Sequence, residues 1–299
     1  MQHIPHGTVI TEPGIYLTPM EWYHQQLTIG PSISSSGLRT IESQSAAHYF
    51  ARSYLNPEAE KVDTTPFRIG KASHSLLLGD EVFEEHFVIS PYDEFRTNEA
   101  KAWRDAANEA GLVVLKKAEY ARILQMRDVL MREPLIRDGL LDGEAERSIV
   151  WRDEETGVWL KARPDVLPKA GWVVDYKTCV SAHPRAVERS IWDYGYHMQL
   201  ALVAEGMAAL GLEVPHAYAL VFQEKTAPYA VTIQEIPVEA IWAGAKQNRT
   251  AIRRFAQCLS EGVWPAYGEG RDIQTPQFIL DRCAGIQTPD WIKPLEQAA

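Results

Sequence analysis

The chain has 299 residues, 45% of them hydrophobic, and its 40 acidic against 30 basic residues leave a formal net charge of −10. That length and apolar content suffice for a large buried core, and no apolar run approaches the roughly 20 residues of a membrane span. The N-terminus MQHIPHGTVI lacks the basic and apolar stretches of a signal peptide, and the three scattered cysteines Cys179, Cys258 and Cys283 argue against a disulfide framework, a zinc knuckle or an iron–sulfur cluster, so a cytoplasmic, single-domain protein is expected.

Taken in chain order, Ser34 to Ser36 offer N-cap oxygens ahead of Leu38, Ile41, Ala46 and Phe50. They predict a helix whose first N–H groups either serve an ordinary cap or receive an anion. Phe67 to Leu78 reads as a buried helix carrying His74, and Glu99 to Met131 as two amphipathic helices parted near Gly111. Strands are predicted from Ser148 to Lys177. One long helix follows from about Ala186 to Leu210, then two strands paired around Ala227 and Pro228, then a helix over Val238 to Leu259. Gly and Pro beyond Trp264 end regular structure. The expected plan is α/β, with a helical part over 1–140, a mixed sheet flanked by helices over 141–262 and an irregular tail over 263–299.

The segment RPDVLPKAGWVVDYK, Arg163 to Lys177, carries the chemistry. VWLKARPDVL and GWVVDYKT are strand-like, and Lys169, Ala170 and Gly171 suit a three-residue hairpin loop. That loop would set Asp165 opposite Asp175 and Arg163 opposite Lys177. The two-residue period then puts Lys161, Arg163, Asp165, Asp175 and Lys177 on one face, with Val166, Val174 and Tyr176 on the other. Two opposed carboxylates repel by about 0.2–1 kcal/mol, a penalty that a divalent cation removes. Oxygen ligands favour Mg²⁺, with Mn²⁺ as a substitute, over zinc. Lys177 could hold a water nucleophile or meet charge developing on a phosphate. The bland alternative is a surface hairpin with scattered charges.

The run KARPD…VVDYKT, with a following helix that carries Tyr196 and Gln199, resembles the PD-(D/E)xK nuclease superfamily, and most of all the RecE-type exodeoxyribonucleases of phage and prophage. The likeness extends to ISSSGLRTI (Ile33 to Ile41), GKASHSLLL (Gly70 to Leu78), EAERSIVW (Glu144 to Trp151), YGYHMQLALVAEG (Tyr194 to Gly206) and VWPAY (Val263 to Tyr267). It implies a restriction-endonuclease-like core with added N-terminal helices. It further implies a metal site of His74, Asp165, Asp175 and the Tyr176 carbonyl, with Glu146 touching a second metal, the water or Lys177, or else standing as a solvated strand-edge residue. Gln199 would orient a carboxylate or meet a phosphate. The related helical pattern Q-x-x-x-Y has Val203 where the tyrosine falls, so a hydroxyl contact would come from Tyr196 or Tyr194.

The same resemblance implies digestion of linear duplex DNA from its 5′ end, a 3′ overhang for a single-strand annealing partner, and a ring-shaped homo-oligomer, trimer or tetramer. A net charge of −10 runs against phosphate binding, which leaves a local basic lining. Candidates for it are Arg39, Arg68, Lys71, Lys161, Arg163 and Lys177, with Ser34, Ser36 and Tyr196 beside them. A structure- or sequence-specific endonuclease of this fold and a non-catalytic DNA-binding recombination scaffold are the other readings.

Overall fold

The structure is a computed structural model that describes residues 2–59, 68–78, 83–84, 86–145, 147–168, 171–268, 277, 281–282 and 284. The chain divides into a unit Met1–Ala266, which holds the sheets and the candidate site, and a unit Tyr267–Ala299.

Strand β1 (Gln2–His3) lies parallel to β2 (Gly14–Leu17), and a short helix α1 (Met20–Tyr23) leads to β3 (Ser32–Ser34). The serine run then starts α2 (Ser35–Ser43), with Ser34 at the N-cap. A second serine, Ser45, accepts from the His48 N–H and starts α3 (Ala46–Arg52), so the one helix expected across this stretch is two. Next come α4 (Arg68–Leu78), β4 (Phe87–Ile89), α5 (Asn98–Glu109), β5 (Val113–Leu115), α6 (Lys117–Leu130) and α7 (Pro134–Arg137). The two helices expected over 99–131 are present. The strand between them was not expected, and it pairs in parallel with β4.

Strands β6 (Gly143–Ala145), β7 (Arg147–Arg152), β8 (Trp159–Ala162), β9 (Val166–Pro168) and β10 (Trp172–Cys179) follow. β7 and β8 form an antiparallel hairpin at the centre of a five-stranded sheet of order β1-β2-β7-β8-β3. The hairpin expected between β9 and β10 is not found as a ladder: β9 pairs antiparallel with β6, and β10 pairs in parallel with β11 (Ala217–Glu224). Burial explains the difference. Val173, Val174, Asp175 and Tyr176 are all buried, and a strand covered on both faces is characteristic of parallel sheets. β12 (Val231–Glu235) completes this three-stranded sheet on the far side of β11.

A parallel pair needs a crossover. Here it consists of α8 (Pro184–Asp193) and α9 (Tyr196–Ala209), the expected single helix broken at Gly195, which sits at φ 64. Left-handed backbone costs an L-residue with a Cβ roughly 1–2 kcal/mol, so glycine sets the break. α9 is buried almost all round, through Leu200, Leu202, Val203, Ala204 and Met207. It lies in the main core with Ile149, Trp151 and Leu160 of the five-stranded sheet and Ala251, Ile252 and Phe255 of α10 (Val238–Glu261). Each large apolar side chain among them contributes about 1.5–3 kcal/mol when removed from water. The opposite face of the five-stranded sheet is covered by Ile4, Ile10, Tyr23 and Leu27 of the N-terminal segment. Among the described residues, no helix is long and apolar enough to cross a membrane.

Candidate active site

Strand alternation on β10 separates two environments. Val174 and Tyr176 enter a core shared with Leu130, Ala219 and Val221, whereas Val173 points into the main core on the side where Asp175 and Lys177 emerge. The Tyr176 hydroxyl donates to Gln223 Oε1 at 2.6 Å, and Gln223 Nε2 donates to the Met126 carbonyl at 2.8 Å, which anchors the strand from behind.

Asp165 meets β10 through its side chain. Its Oδ2 accepts the Tyr176 N–H at 2.7 Å, and its Oδ1 lies 3.2 Å from His74 Nδ1 on α4. The N–H and C=O of one strand residue point to the same side, so the Tyr176 carbonyl also faces the edge that Asp165 occupies. The imidazole stands edge-on to the Tyr176 ring at 4.8 Å between centroids. Gly70, one turn before His74, lets α4 approach β10, because a Cβ there would lie 3.0 Å from Thr178 Oγ1.

Asp175 is 2% exposed, with Oδ1 accepting from Gln199 Nε2 at 2.8 Å and Oδ2 in contact with Lys177 Nζ. The Lys177 ammonium is also 5.0 Å from the centre of the Tyr196 ring, and the Arg39 guanidinium is 5.8 Å from the same ring. Arg39 further donates to the Tyr194 carbonyl at 2.7 Å. The break at Gly195 makes this possible by aiming the first turn of α9, with Tyr196 and Gln199, at the carboxylates.

The charges are unequal. Burial raises the Asp175 carboxyl above the usual carboxylate range, and the neighbouring Asp165 charge raises it further. Burial would raise Asp165 as well, but His74, Lys177 and the Tyr176 N–H outweigh it and hold that carboxyl low. Burial would lower both His74 and Lys177; the two aspartates outweigh it and raise them. The pull of Asp175 toward its protonated form is what a divalent charge would reverse. The buried Gln199 Oε1 has no hydrogen-bond partner among the described residues, which leaves an acceptor beside the carboxylates. Two carboxylates, an imidazole and an edge carbonyl therefore fit a hard divalent cation in their chemistry. Among the described residues no three His, Cys, Asp or Glu side chains stand close enough to hold an ion by themselves, so other oxygens would have to complete the shell.

Of the residues expected at the site, His74, Asp165, Asp175, Lys177, Gln199, Tyr196 and Arg39 come together. Lys161 and Arg163 do not share their face, which corrects the one-face expectation. Lys161 is 3% exposed, with Nζ 3.3 Å from the Gln25 carbonyl and about 5 Å from the rings of Tyr23 and Tyr54. Arg163 donates to the Thr18 carbonyl at 2.8 Å and lies over Tyr23. The strand ends at Ala162 and Pro164 interrupts it, so the two-residue period does not carry from Lys161 to Asp165. Ser34 and Ser36 contact each other, Oγ to Oγ, at 3.0 Å, and neither side chain caps α2. Glu146 and the side chains of Arg68 and Lys71 lie outside the described residues. Sequence reasoning passed over the carbonyl of Tyr194 as the seat of Arg39; the glycine inside Y-G-Y was the available signal.

A family model described as "PDDEXK-like domain of unknown function (DUF3799)" matches residues 34–275. A solved structure described as "Putative exonuclease" from Eubacterium rectale superposes with a TM-score of 0.56 at 15% identity, covering 85% of this chain and 94% of its own. A phage related exonuclease from Haemophilus somnus 129PT aligns over 78% of this chain and 97% of its own, at 14% identity and a TM-score of 0.32. No curated protein matches the sequence. With Asp175 and Lys177 on β10, Asp165 bonded to that strand, and the family model matching residues that include β7, β8, the crossover and α10, the chain belongs to the PDDEXK-like family and has its nuclease fold.

Proposed function

We propose that the protein is a metal-dependent DNA exonuclease that hydrolyses phosphodiester bonds at the ends of linear duplex. The observation that carries this reading is the buried Asp175 carboxyl, pinned by Gln199 and Lys177 beside an ionised Asp165. Asp165, Asp175, His74 and the Tyr176 carbonyl would hold Mg²⁺, with Mn²⁺ as a substitute. When bound, such an ion supplies Lewis-acid polarisation of a phosphate and a more acidic water. The chain's own groups do the rest. Gln199 fixes the Asp175 carboxylate, and Lys177, kept cationic by the two aspartates, places its ammonium where a water or a phosphate oxygen can receive it. Arg39 and Tyr196 lie beside that ammonium, and Glu146 would be a further acidic group touching a second metal, the water or Lys177.

The names of the structural neighbours and the RecE-type blocks favour an exonuclease over an endonuclease. On the same basis we propose attack from the 5′ end, a 3′ overhang passed to a single-strand annealing protein in recombination, and a homo-oligomeric ring, trimer or tetramer, with an acidic exterior. The basic lining would include Lys71, with Ser34 and Ser36 at the start of α2. The test is end-labelled linear duplex against covalently closed circles, with and without Mg²⁺. Loss of label from the 5′ end of linear DNA alone is expected. Cutting of closed circles would establish the endonuclease, and metal binding without cleavage of either would establish the scaffold.

A further inference from the structure

Aromatic rings rise from the core beside the carboxylates to the surface. Phe222 on β11 is 1% exposed; Tyr196 lies 5.9 Å from it, half-buried; Tyr194 lies 5.6 Å from Tyr196, tilted by 37°, and is 61% exposed. The middle ring is the one that Lys177 and Arg39 face, at 5.0 and 5.8 Å. Trp192, 52% exposed, stands just before Tyr194 in the chain. The ladder thus ends in an open ring, Tyr194, one ring contact away from the Tyr196 ring that the two cations face. Arg39 holds its backbone through the Tyr194 carbonyl, and the left-handed Gly195 fixes the turn beneath it.

We infer that Tyr194 is a stacking platform for an unpaired nucleobase of the strand being cut, so that the site takes frayed or single-stranded ends in preference to fully paired ones. This rests on the nuclease reading above and adds the state of the substrate. A phosphate seated between Lys177 and Arg39 carries its base within reach of a neighbouring planar surface, and Tyr194 offers one. Every base has a π-face, so such a platform selects for unpairing and leaves sequence unread. A base inside an intact duplex is already stacked and gains nothing from it.

The test compares a blunt linear duplex with one whose terminal pairs are mismatched, using wild type, Tyr194→Ala and Tyr194→Trp. The expected result is a wild-type preference in kcat/KM for the mismatched end, carried in KM, of about 5- to 150-fold. It collapses in Tyr194→Ala and returns in Tyr194→Trp. The ratio between two substrates is the readout because general loss of folding lowers both alike. Binding is read separately on the Asp175→Ala protein with 2-aminopurine as the terminal unpaired base, whose fluorescence should be quenched with Tyr194 present and not with Tyr194→Ala. A ratio unchanged in Tyr194→Ala overturns the inference. So does a preserved ratio with a lower molar mass by light scattering, which would assign the ring to contact between protein chains. Quenching on the Asp175→Ala protein together with a wild type that cleaves neither end would sink the nuclease reading and keep the platform.

Discussion

Lys161→Met separates a buried lysine from a DNA-binding one. The ammonium is enclosed, and burial lowers its pKa from 10.5 to about 7. At about 1.4 kcal/mol per unit, charging it inside the fold costs about 5 kcal/mol before local compensation. The Tyr23 and Tyr54 faces and the Gln25 carbonyl return about 1–3 kcal/mol of this, leaving about 2–4 kcal/mol. The sign follows from the depressed folded pKa. The unfolded chain binds the proton more tightly, so the penalty is full below pH 7 and fades as pH rises from 7 toward 10.5. Methionine keeps the stem and omits the charge. Urea melts of both proteins at pH 6 and near pH 10 should show the variant more stable by about 2–4 kcal/mol at pH 6, with the gap nearly closed at the higher pH. The difference between the proteins isolates this residue from every other titration. A gap that does not change with pH would refute the reasoning. So would weaker DNA binding with a salt slope reduced by about one, the mark of a phosphate-contacting lysine.

Four further outcomes are expected. Asp175→Ala should lower cleavage by at least about 10²–10³-fold while DNA binding, followed by gel shift, persists; unchanged turnover removes the proposed site. His74 binds its proton more tightly than an ordinary histidine because Asp165 outweighs burial, and ligation needs the neutral ring, so metal affinity by calorimetry should climb through a pH above 6.5 and flatten in His74→Ala. Tyr176→Phe leaves the buried Gln223 Oε1 without its 2.6 Å donor and should cost about 1–3 kcal/mol in a urea melt. Gly195→Ala puts a Cβ at φ 64 and 3.1 Å from Arg39 Cδ, so a loss of about 1–2 kcal/mol should come with weaker substrate binding; a melt unaffected by it would mean the turn tolerates a side chain.

The chemistry was more legible in the chain than its geometry. Asp165, Asp175 and Lys177 could be named because two carboxylates brought together in strand-like sequence, with a lysine two residues after the second, need a cation, and alternation correctly sent Tyr176 away from Asp175. The partner of that strand could not be read locally. Trp172–Cys179 pairs with Ala217–Glu224, and nothing nearer than the crossover specifies it. The hairpin expectation treated Gly171 as a loop glycine closing a ladder and gave too little weight to VVDY, whose burial on both faces marks a parallel strand. Pro164 was the missed punctuation for Lys161 and Arg163. The break in the crossover was signalled by Gly195 but masked by apolar periodicity, which runs without interruption from Val187 into Leu200.

The parallel register of β10 and β11 also has a consequence in time. His74, Asp165, Asp175, Lys177, Tyr196 and Gln199 have all been synthesised before Ala217 is added, yet Trp172–Cys179 has no strand to lie against until Ala217–Glu224 follows. The residues that would cut DNA are therefore complete in the nascent chain well before the sheet that aligns them. The alignment of the site arrives with a segment that contributes none of these groups.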